Sequence, residues 1–182
     1  MKKVVLLGDS IRLLGYGAKT ADLLGEEYTV WQPEDNCRWA QYTLRMLFDY
    51  AAQIENSDVI HWNNGMWDVT DIFPDGHFTP IEQYVETMLR VAKILKSKAK
   101  TIIFATTTPV LPTNPYNSNA VIEAYNAAIV PRLQEMGIII NDLYSVIAEN
   151  LDENICEDKI HLSQKGITVA AMQVEKIIKE NC

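Results

Sequence analysis

The sequence predicts an α/β fold, a three-layer α/β/α sandwich around a five-stranded parallel sheet. Five short apolar runs rich in β-branched residues recur along the chain, and longer amphipathic stretches lie between them. Strands that alternate with helices form βαβ units, whose right-handed crossovers place helices on both faces of the sheet. No repeat or linker interrupts the 182 residues. We therefore expect one domain, spanning 1–182.

The predicted strands are short apolar runs bounded by turn residues, as expected for strands that are buried on both faces. They lie at 3–7, 28–31, 59–62, 101–105 and 137–140. The first run ends at Gly8, and the third follows Ser57 and Asp58.

Four amphipathic segments predict helices, at 40–54, 80–98, 119–136 and 163–180. The second begins with Thr79 as a cap and Pro80 at the first helical position. Pro131 predicts a kink in the third helix, and Ser163 is the expected cap of the fourth.

Composition narrows the class of protein. The net charge of −8 disfavours nucleic acids and anionic membranes as partners. The three cysteines, Cys37, Cys156 and Cys182, have no metal-site or disulfide spacing, so we expect reduced thiols. The apolar run near the N-terminus is too short for a signal peptide, and no stretch could span a bilayer. These features predict a cytoplasmic protein.

Three irregular segments, at 32–39, 63–78 and 106–118, each follow a predicted strand. Ligands of open parallel sheets bind beyond the carboxyl ends of the strands. We therefore expect these loops to line one crevice, onto which the end of the first strand also opens.

Gly8-Asp9-Ser10 stands at the end of the first strand, before a helical segment. The Ser10 hydroxyl would then lie near a helix N-terminus, where backbone N–H groups can hold a developing oxyanion. The alternative is that Asp9 or Ser10 only caps the helix.

Asp158 and His161 are three residues apart on a predicted turn. A carboxylate at this distance can fix the tautomer of the imidazole, which in turn can activate a serine hydroxyl. The alternative is a surface turn with an incidental histidine.

A third polar segment, Asn63-Asn64-Gly65, follows the third strand, where an amide could donate into the crevice. It is also ordinary turn chemistry.

Taken jointly, these segments resemble the SGNH hydrolases, also called GDSL esterases and lipases, over essentially the whole chain. Gly8-Asp9-Ser10 resembles the first block of the family, and the segment from Asp158 to His161 resembles its DxxH block. The resemblance implies a flavodoxin-like strand order of 2-1-3-4-5. It also implies that Ser10 is the nucleophile, His161 the general base and acid, and Asp158 its orienting partner.

The two middle blocks depart from the family pattern. The chain reads HWNNGMWD where GxND is usual, and PEDNCR where the family has a glycine. The resemblance assigns the oxyanion amide to Asn63, with Asn64 as the alternative. Backbone N–H groups of Ser10 and of Cys37 or Arg38 would complete the oxyanion hole.

Substrate contacts are expected from residues beside these blocks, namely Asp9, Trp39, Trp62 and Trp67, although core packing is the alternative for each tryptophan.

The predicted function is a serine esterase that forms an acyl-enzyme and requires no cofactor or metal. The short loops favour short acyl groups, such as acetyl on a carbohydrate. The alternatives are an O-acyltransferase with the same triad and a flavodoxin-like domain that binds phosphate or FMN. No glycine-rich phosphate loop supports the latter.

Overall fold

A computed structural model describes residues 1–182 and contains one five-stranded parallel sheet. The strands lie in the order β2-β1-β3-β4-β5, as predicted. Their bounds are β1 Lys2–Leu7, β2 Tyr28–Trp31, β3 Ser57–Asn63, β4 Ala99–Ala105 and β5 Ile139–Asn141. Each one overlaps the apolar run that predicted it.

Successive residues of the central strands face opposite layers, because side chains alternate along a strand. On one face, Val5 and Leu7 pack with apolar side chains of helices α2, α4 and α5. On the other, Val4 and Leu6 pack with helices α1, α6 and α8. The predicted three-layer sandwich is confirmed, and all four of these side chains are buried.

Eight α-helices surround the sheet. They are α1 Gly17–Leu24, α2 Ala40–Asp49, α3 Ala51–Ile54, α4 Ile81–Lys96, α5 Asn119–Glu135, α6 Leu143–Ala148, α7 Leu151–Asn154 and α8 Gln164–Asn181. A π-helical turn, Ile11–Tyr16, precedes α1. The predicted helix at 40–54 is divided at Tyr50 into α2 and α3, and α6 and α7 were not predicted.

The predicted caps have different outcomes. The Ser163 Oγ accepts the N–H of Gly166 at 3.1 Å, which confirms it as the cap of α8. The prediction for Thr79 and Pro80 is wrong by one position, since Pro80 has an extended ψ of 142° and α4 begins at Ile81. Thr79 instead donates its N–H to the carbonyl of Asp68. None of the helices has both the length and the apolar character needed to cross a bilayer.

Candidate active site

Ser10 lies just past the carboxyl end of β1, at the start of the π-helical turn. Asp9 shapes this turn, because its carboxylate accepts the N–H of Ile11 at 2.9 Å and its carbonyl accepts the N–H groups of Arg12 and Leu13. The N–H of Ser10 has no acceptor in the protein. The turn therefore presents both a hydroxyl and a free backbone donor at the sheet edge.

His161 reaches Ser10 from the loop before α8. Its Nε2 lies 2.9 Å from the Ser10 Oγ, and its Nδ1 lies 2.6 Å from the Asp158 Oδ2. The loop is held in shape by a hydrogen bond from the Cys156 N–H to the His161 carbonyl and by Lys159, whose φ is +73°. The geometry expected for the three side chains is thus present.

The backbone of the same turn controls the charge of Asp158. Partial burial raises the pKa of this carboxyl, but hydrogen bonds from the N–H groups of His161 and Ile160 and from the imidazole outweigh that effect. The net result is a pKa well below the ordinary value. An ionised Asp158 keeps the imidazole hydrogen on Nδ1, which leaves Nε2 free to accept the proton of Ser10.

Asn63, the last residue of β3, and Asn64, which follows it, point in opposite directions, as strand geometry predicts. The Nδ2 of Asn63 donates to the Asp9 Oδ1 at 2.9 Å, and its Oδ1 accepts the Tyr16 hydroxyl at 2.8 Å. Asn64 instead accepts the indole N–H of Trp62 at 2.6 Å and donates to the Arg38 carbonyl at 2.9 Å. Asn63 is therefore the asparagine that contacts the Asp9-Ser10 turn.

Gly8 leaves the space that the Asn63 amide occupies. A Cβ atom on residue 8 would lie 1.9 Å from the Asn63 Oδ1 and 2.9 Å from the Cβ of Arg12. Real Cβ atoms do not approach other atoms so closely, so any larger residue would displace the amide.

The expectation that the backbone N–H of Cys37 or Arg38 helps to form the oxyanion hole is wrong, because both N–H groups already donate to acceptors within the protein. Cys37 is fully buried and donates its N–H to the Gly8 carbonyl at 3.1 Å. Arg38, whose φ is +48°, donates its N–H to the Asn36 Oδ1 at 2.7 Å. Burial also raises the pKa of the Cys37 thiol, which makes it a poor nucleophile.

Arg12 explains why the loop at 32–39 is held so firmly. This arginine is fully buried, and its guanidinium donates to the carbonyls of Pro33 and Asp35, each at 2.8 Å, and to that of Gly8 at 3.1 Å. A charged side chain is buried only when it is well paired. Sequence reasoning missed this role, since an arginine next to apolar residues in a helix reads as a surface residue.

Asp9 and Trp62 cannot contact substrate as predicted, because both are fully buried. The Asp9 carboxylate is directed to Ile11 and Asn63, and burial raises its pKa. Trp62 packs on Phe104 inside the sandwich, with ring centroids 5.0 Å apart. Its indole thus belongs to the core, which was the alternative for each tryptophan.

A cleft of about 560 Å³ opens beside Ser10 and His161. Its walls are mainly apolar, and they come from the π-helical turn, the loop after β3, the loop after β4 and the turn before α8. The lining residues other than the triad are Leu14, Met66, Trp67, Thr70, Ile72, Phe78, Asn114, Pro115, Tyr116, Asn117 and Ile160. The expectation that the loop at 32–39 lines the same cleft is wrong, because that loop packs against the end of β1.

Trp67 and Trp39 have different positions relative to the cleft. Trp67 lines it and is 38% exposed, which leaves its ring accessible to a ligand. Trp39 does not line it and packs behind it, 6.3 Å from the ring of Trp67 and 5.4 Å from that of Phe78. Trp39 therefore supports the aromatic wall, and Trp67 forms its surface.

No family model matches the chain. It is 27% identical over 206 residues to a GDSL esterase/lipase of Arabidopsis thaliana, an alignment that covers 98% of this chain and 79% of the relative.

Two solved structures have the same fold. A lipase/acylhydrolase from Enterococcus faecalis superposes with a TM-score of 0.81 at 22% identity, covering 99% of this chain and 96% of the other. An acetylxylan esterase from Geobacillus stearothermophilus superposes with a TM-score of 0.79 at 18% identity, covering 97% and 94%.

Proposed function

We propose that the chain is a carboxylic ester hydrolase of the GDSL (SGNH) type, like the esterases it resembles, with Ser10, His161 and Asp158 as its catalytic triad. The observation that carries this proposal is the continuous hydrogen-bonded path from the Ser10 Oγ through the imidazole to the Asp158 carboxylate. A nucleophile, a base and an orienting acid in this order are the groups that acyl transfer requires.

The proposed reaction has two halves. The Ser10 Oγ attacks the ester carbonyl carbon while the His161 Nε2 takes its proton, and a tetrahedral oxyanion forms. The bond to the alcohol oxygen then breaks, His161 protonates that oxygen, and the acyl group stays on Ser10. In the second half, a water oxygen attacks the acyl carbon while His161 takes a proton from that water; the bond from this carbon to Oγ then breaks, and His161 returns the proton to Ser10 as the carboxylic acid leaves.

Two groups are proposed to hold the oxyanion. One is the N–H of Ser10, which has no acceptor in the protein. The other is the second hydrogen of the Asn63 amide nitrogen, since only one is used by Asp9. Asn64 is less suitable because its amide nitrogen binds the Arg38 carbonyl and its side chain is fully buried.

We propose that the acyl group is short, such as acetyl, and that the alcohol part of the ester is a carbohydrate that occupies the cleft. Gly8, Asp9 and Asn63 are buried and do not line the cleft, whereas His161, which must protonate the departing alcohol, does. The exposed rings of Trp67 and Tyr116 provide flat apolar surfaces on which a sugar ring could stack. One protein of the same fold is an acetylxylan esterase.

The test is a panel of p-nitrophenyl esters of increasing acyl length, together with acetylated xylo-oligosaccharides, assayed with the wild type and with Ser10→Ala. We expect hydrolysis of acetyl esters that is lost in Ser10→Ala. Activity that survives in Ser10→Ala would exclude the proposed triad. A kcat/KM that rises steadily with acyl length would exclude only the short acyl group.

We also propose a cytoplasmic location, for which the three free cysteines are the support. A thiol titration of the protein isolated without reductant should detect Cys156 and Cys182 at once, and Cys37 after unfolding. A disulfide in that preparation would contradict the proposal.

A further inference from the structure

We infer that Tyr16 is a positioning residue for the proposed reaction, because it holds the Asn63 amide in the orientation that turns its nitrogen toward the reacting ester. This inference rests on the proposed function and adds a residue that no motif of the chain identifies.

The Asn63 side chain is buried between two partners. Its Oδ1 accepts the Tyr16 hydroxyl at 2.8 Å, and its Nδ2 donates to the Asp9 Oδ1 at 2.9 Å. The two ends of an amide have nearly the same shape, so a flip would exchange the oxygen and the nitrogen at almost no steric cost. Hydrogen bonding alone therefore decides which end faces which way.

Asp9 fixes one end of the amide. Its Oδ1 also accepts the N–H of Ile11 at 2.9 Å, so this oxygen acts as an acceptor toward the turn. A flipped amide would bring the Asn63 Oδ1 against it, which would place two acceptors together. The nitrogen of the amide is accordingly favoured at Asp9.

Tyr16 fixes the other end. Its hydroxyl is fully buried and has no other acceptor in the protein, so a flip would leave the hydroxyl hydrogen unpaired. The Tyr16 ring cannot move to restore this hydrogen bond, because it makes an edge-to-face contact with the imidazole of His61. The two ring centroids are 5.6 Å apart and the ring planes meet at 87°. His61 is itself buried in β3 and lies 3.1 Å from the Asn141 amide.

The consequence for the oxyanion is direct. With both ends engaged, the Asn63 nitrogen retains one hydrogen that has no partner in the protein, next to the turn that carries Ser10. A donor that is already oriented needs no reorganisation as the charge develops, which is the main source of its effect on the rate.

The experiment compares Tyr16→Phe with a matched control, Tyr125→Phe. Tyr125 is also buried, and its hydroxyl also donates to an oxygen, the carbonyl of Thr79 at 2.7 Å. We expect Tyr16→Phe to lower kcat about tenfold with KM within about twofold, less than the roughly 10²–10³ of losing the donor entirely. Tyr125→Phe should lower the Tm by a similar amount and leave kcat unchanged.

The double variant Tyr16→Phe/Asn63→Ala separates positioning from general stability. We expect its kcat to equal that of Asn63→Ala, because a missing amide can no longer be misoriented. Losses that multiply, or a folded Tyr16→Phe with wild-type kcat, would overturn the inference. Activity in Ser10→Ala would instead overturn the proposed function, so the two failures are distinguishable.

A measurement on the wild type keeps the inference testable if Tyr16→Phe does not fold. In protein labelled with ¹⁵N-asparagine, the Asn63 side-chain amide, assigned by its loss in Asn63→Ala, should have a proton that exchanges with solvent far more slowly than those of an exposed side-chain amide, because it is bonded to the Asp9 Oδ1. If both Asn63 amide protons exchange as fast as those of an exposed asparagine, the amide is mobile and the inference is overturned.

Discussion

The Asp158 Oδ2 lies 2.6 Å from the His161 Nδ1, while its Oδ1 accepts the N–H groups of Ile160 and His161 at 3.0 and 2.9 Å. One turn of the backbone therefore holds the acid against the imidazole, in addition to the contact of the imidazole with Ser10. The side-chain oxygen of an asparagine at position 158 can still accept the two backbone N–H groups. The neutral amide, however, cannot hold the imidazole hydrogen on Nδ1 or stabilise the charged imidazole.

We expect Asp158→Asn to lower kcat on p-nitrophenyl acetate by about 10⁴, which is smaller than the roughly 10⁶ expected for Ser10→Ala, by analogy with other serine triads. Steady-state kinetics on both variants makes the comparison. Equal losses would mean that the carboxylate does more than orient and stabilise the imidazole.

Ser10 and His161 should behave as one unit. The variants Ser10→Ala and His161→Ala should each lower kcat by several orders of magnitude, and the double variant should be little worse, because either change alone removes the activated nucleophile. The same ester assay on the three variants tests this. Multiplicative losses would contradict a shared mechanism.

Replacement of Asn63 and replacement of Asn64 should have different effects on kcat. We expect Asn63→Ala to lower kcat by roughly 10²–10³ and Asn64→Ala to have a modest effect. The sequence alone predicts little change in stability for Asn63→Ala. The structure corrects this, because the change leaves the buried Tyr16 hydroxyl unpaired, at a cost of about 1–3 kcal/mol in the free energy of unfolding.

Kinetics and urea unfolding of both variants check the two parts of this prediction. A large rate effect in Asn64→Ala alone would move the role to that residue. No rate effect in either variant would leave the oxyanion to backbone N–H groups.

Asp68 should make stability depend on pH. Burial raises its pKa to about 7 in the folded protein, from an ordinary value of 3.8, although it accepts the N–H of Ala40. Below pH 3.8 the carboxyl is protonated in both states. As the pH rises toward 7 the unfolded chain ionises first, so this group lowers the free energy of unfolding over that window and contributes a constant penalty above it.

Asp68→Asn stays neutral, so the stability of the variant relative to the wild type should rise between about pH 4 and pH 7 and then level off. Urea unfolding of both proteins at intervals of pH measures this difference. A difference that does not change with pH, or one that falls, would contradict the prediction.

Gly8→Ala should damage both activity and stability, because the new methyl group would collide with the Asn63 Oδ1. We expect the activity of Gly8→Ala to fall to about that of Asn63→Ala. In Gly8→Ala/Asn63→Ala the collision with the amide is gone, so the Tm should be higher than additive losses predict. Additive losses in Tm would contradict the prediction and show that the new methyl group destabilises the fold mainly through its contact with the Cβ of Arg12 and not through the Asn63 amide.

The sheet could be predicted from the sequence because apolar runs bounded by turn residues show where strands lie. Local signals alone left Ser10 and His161 open to other interpretations, and the expectation that they meet came from the resemblance of their two segments to one family; the structure brings them to 2.9 Å. The helices α6 and α7 escaped prediction because each is shorter than two turns, and little marks α6 beyond the cap that Asp142 provides for the Ser145 N–H. The roles of Asp9, which was expected to contact substrate, and of Tyr16 could not be predicted, since they depend on burial against Asn63.

The contact between Gly8 and Asn63 ties two positions that are far apart in the chain. The glycine of the first motif is required by the volume of an amide on β3 and not by its own backbone, since its φ lies outside the left-handed region that favours glycine. In descendants of this chain, a larger residue at 8 becomes tolerable only after the amide at 63 has gone. The order of those two changes is therefore fixed: loss of the amide must come first, and with it the proposed catalysis. A sequence survey would see the pair as covariation, with the glycine preserved for as long as the enzyme is selected for its rate.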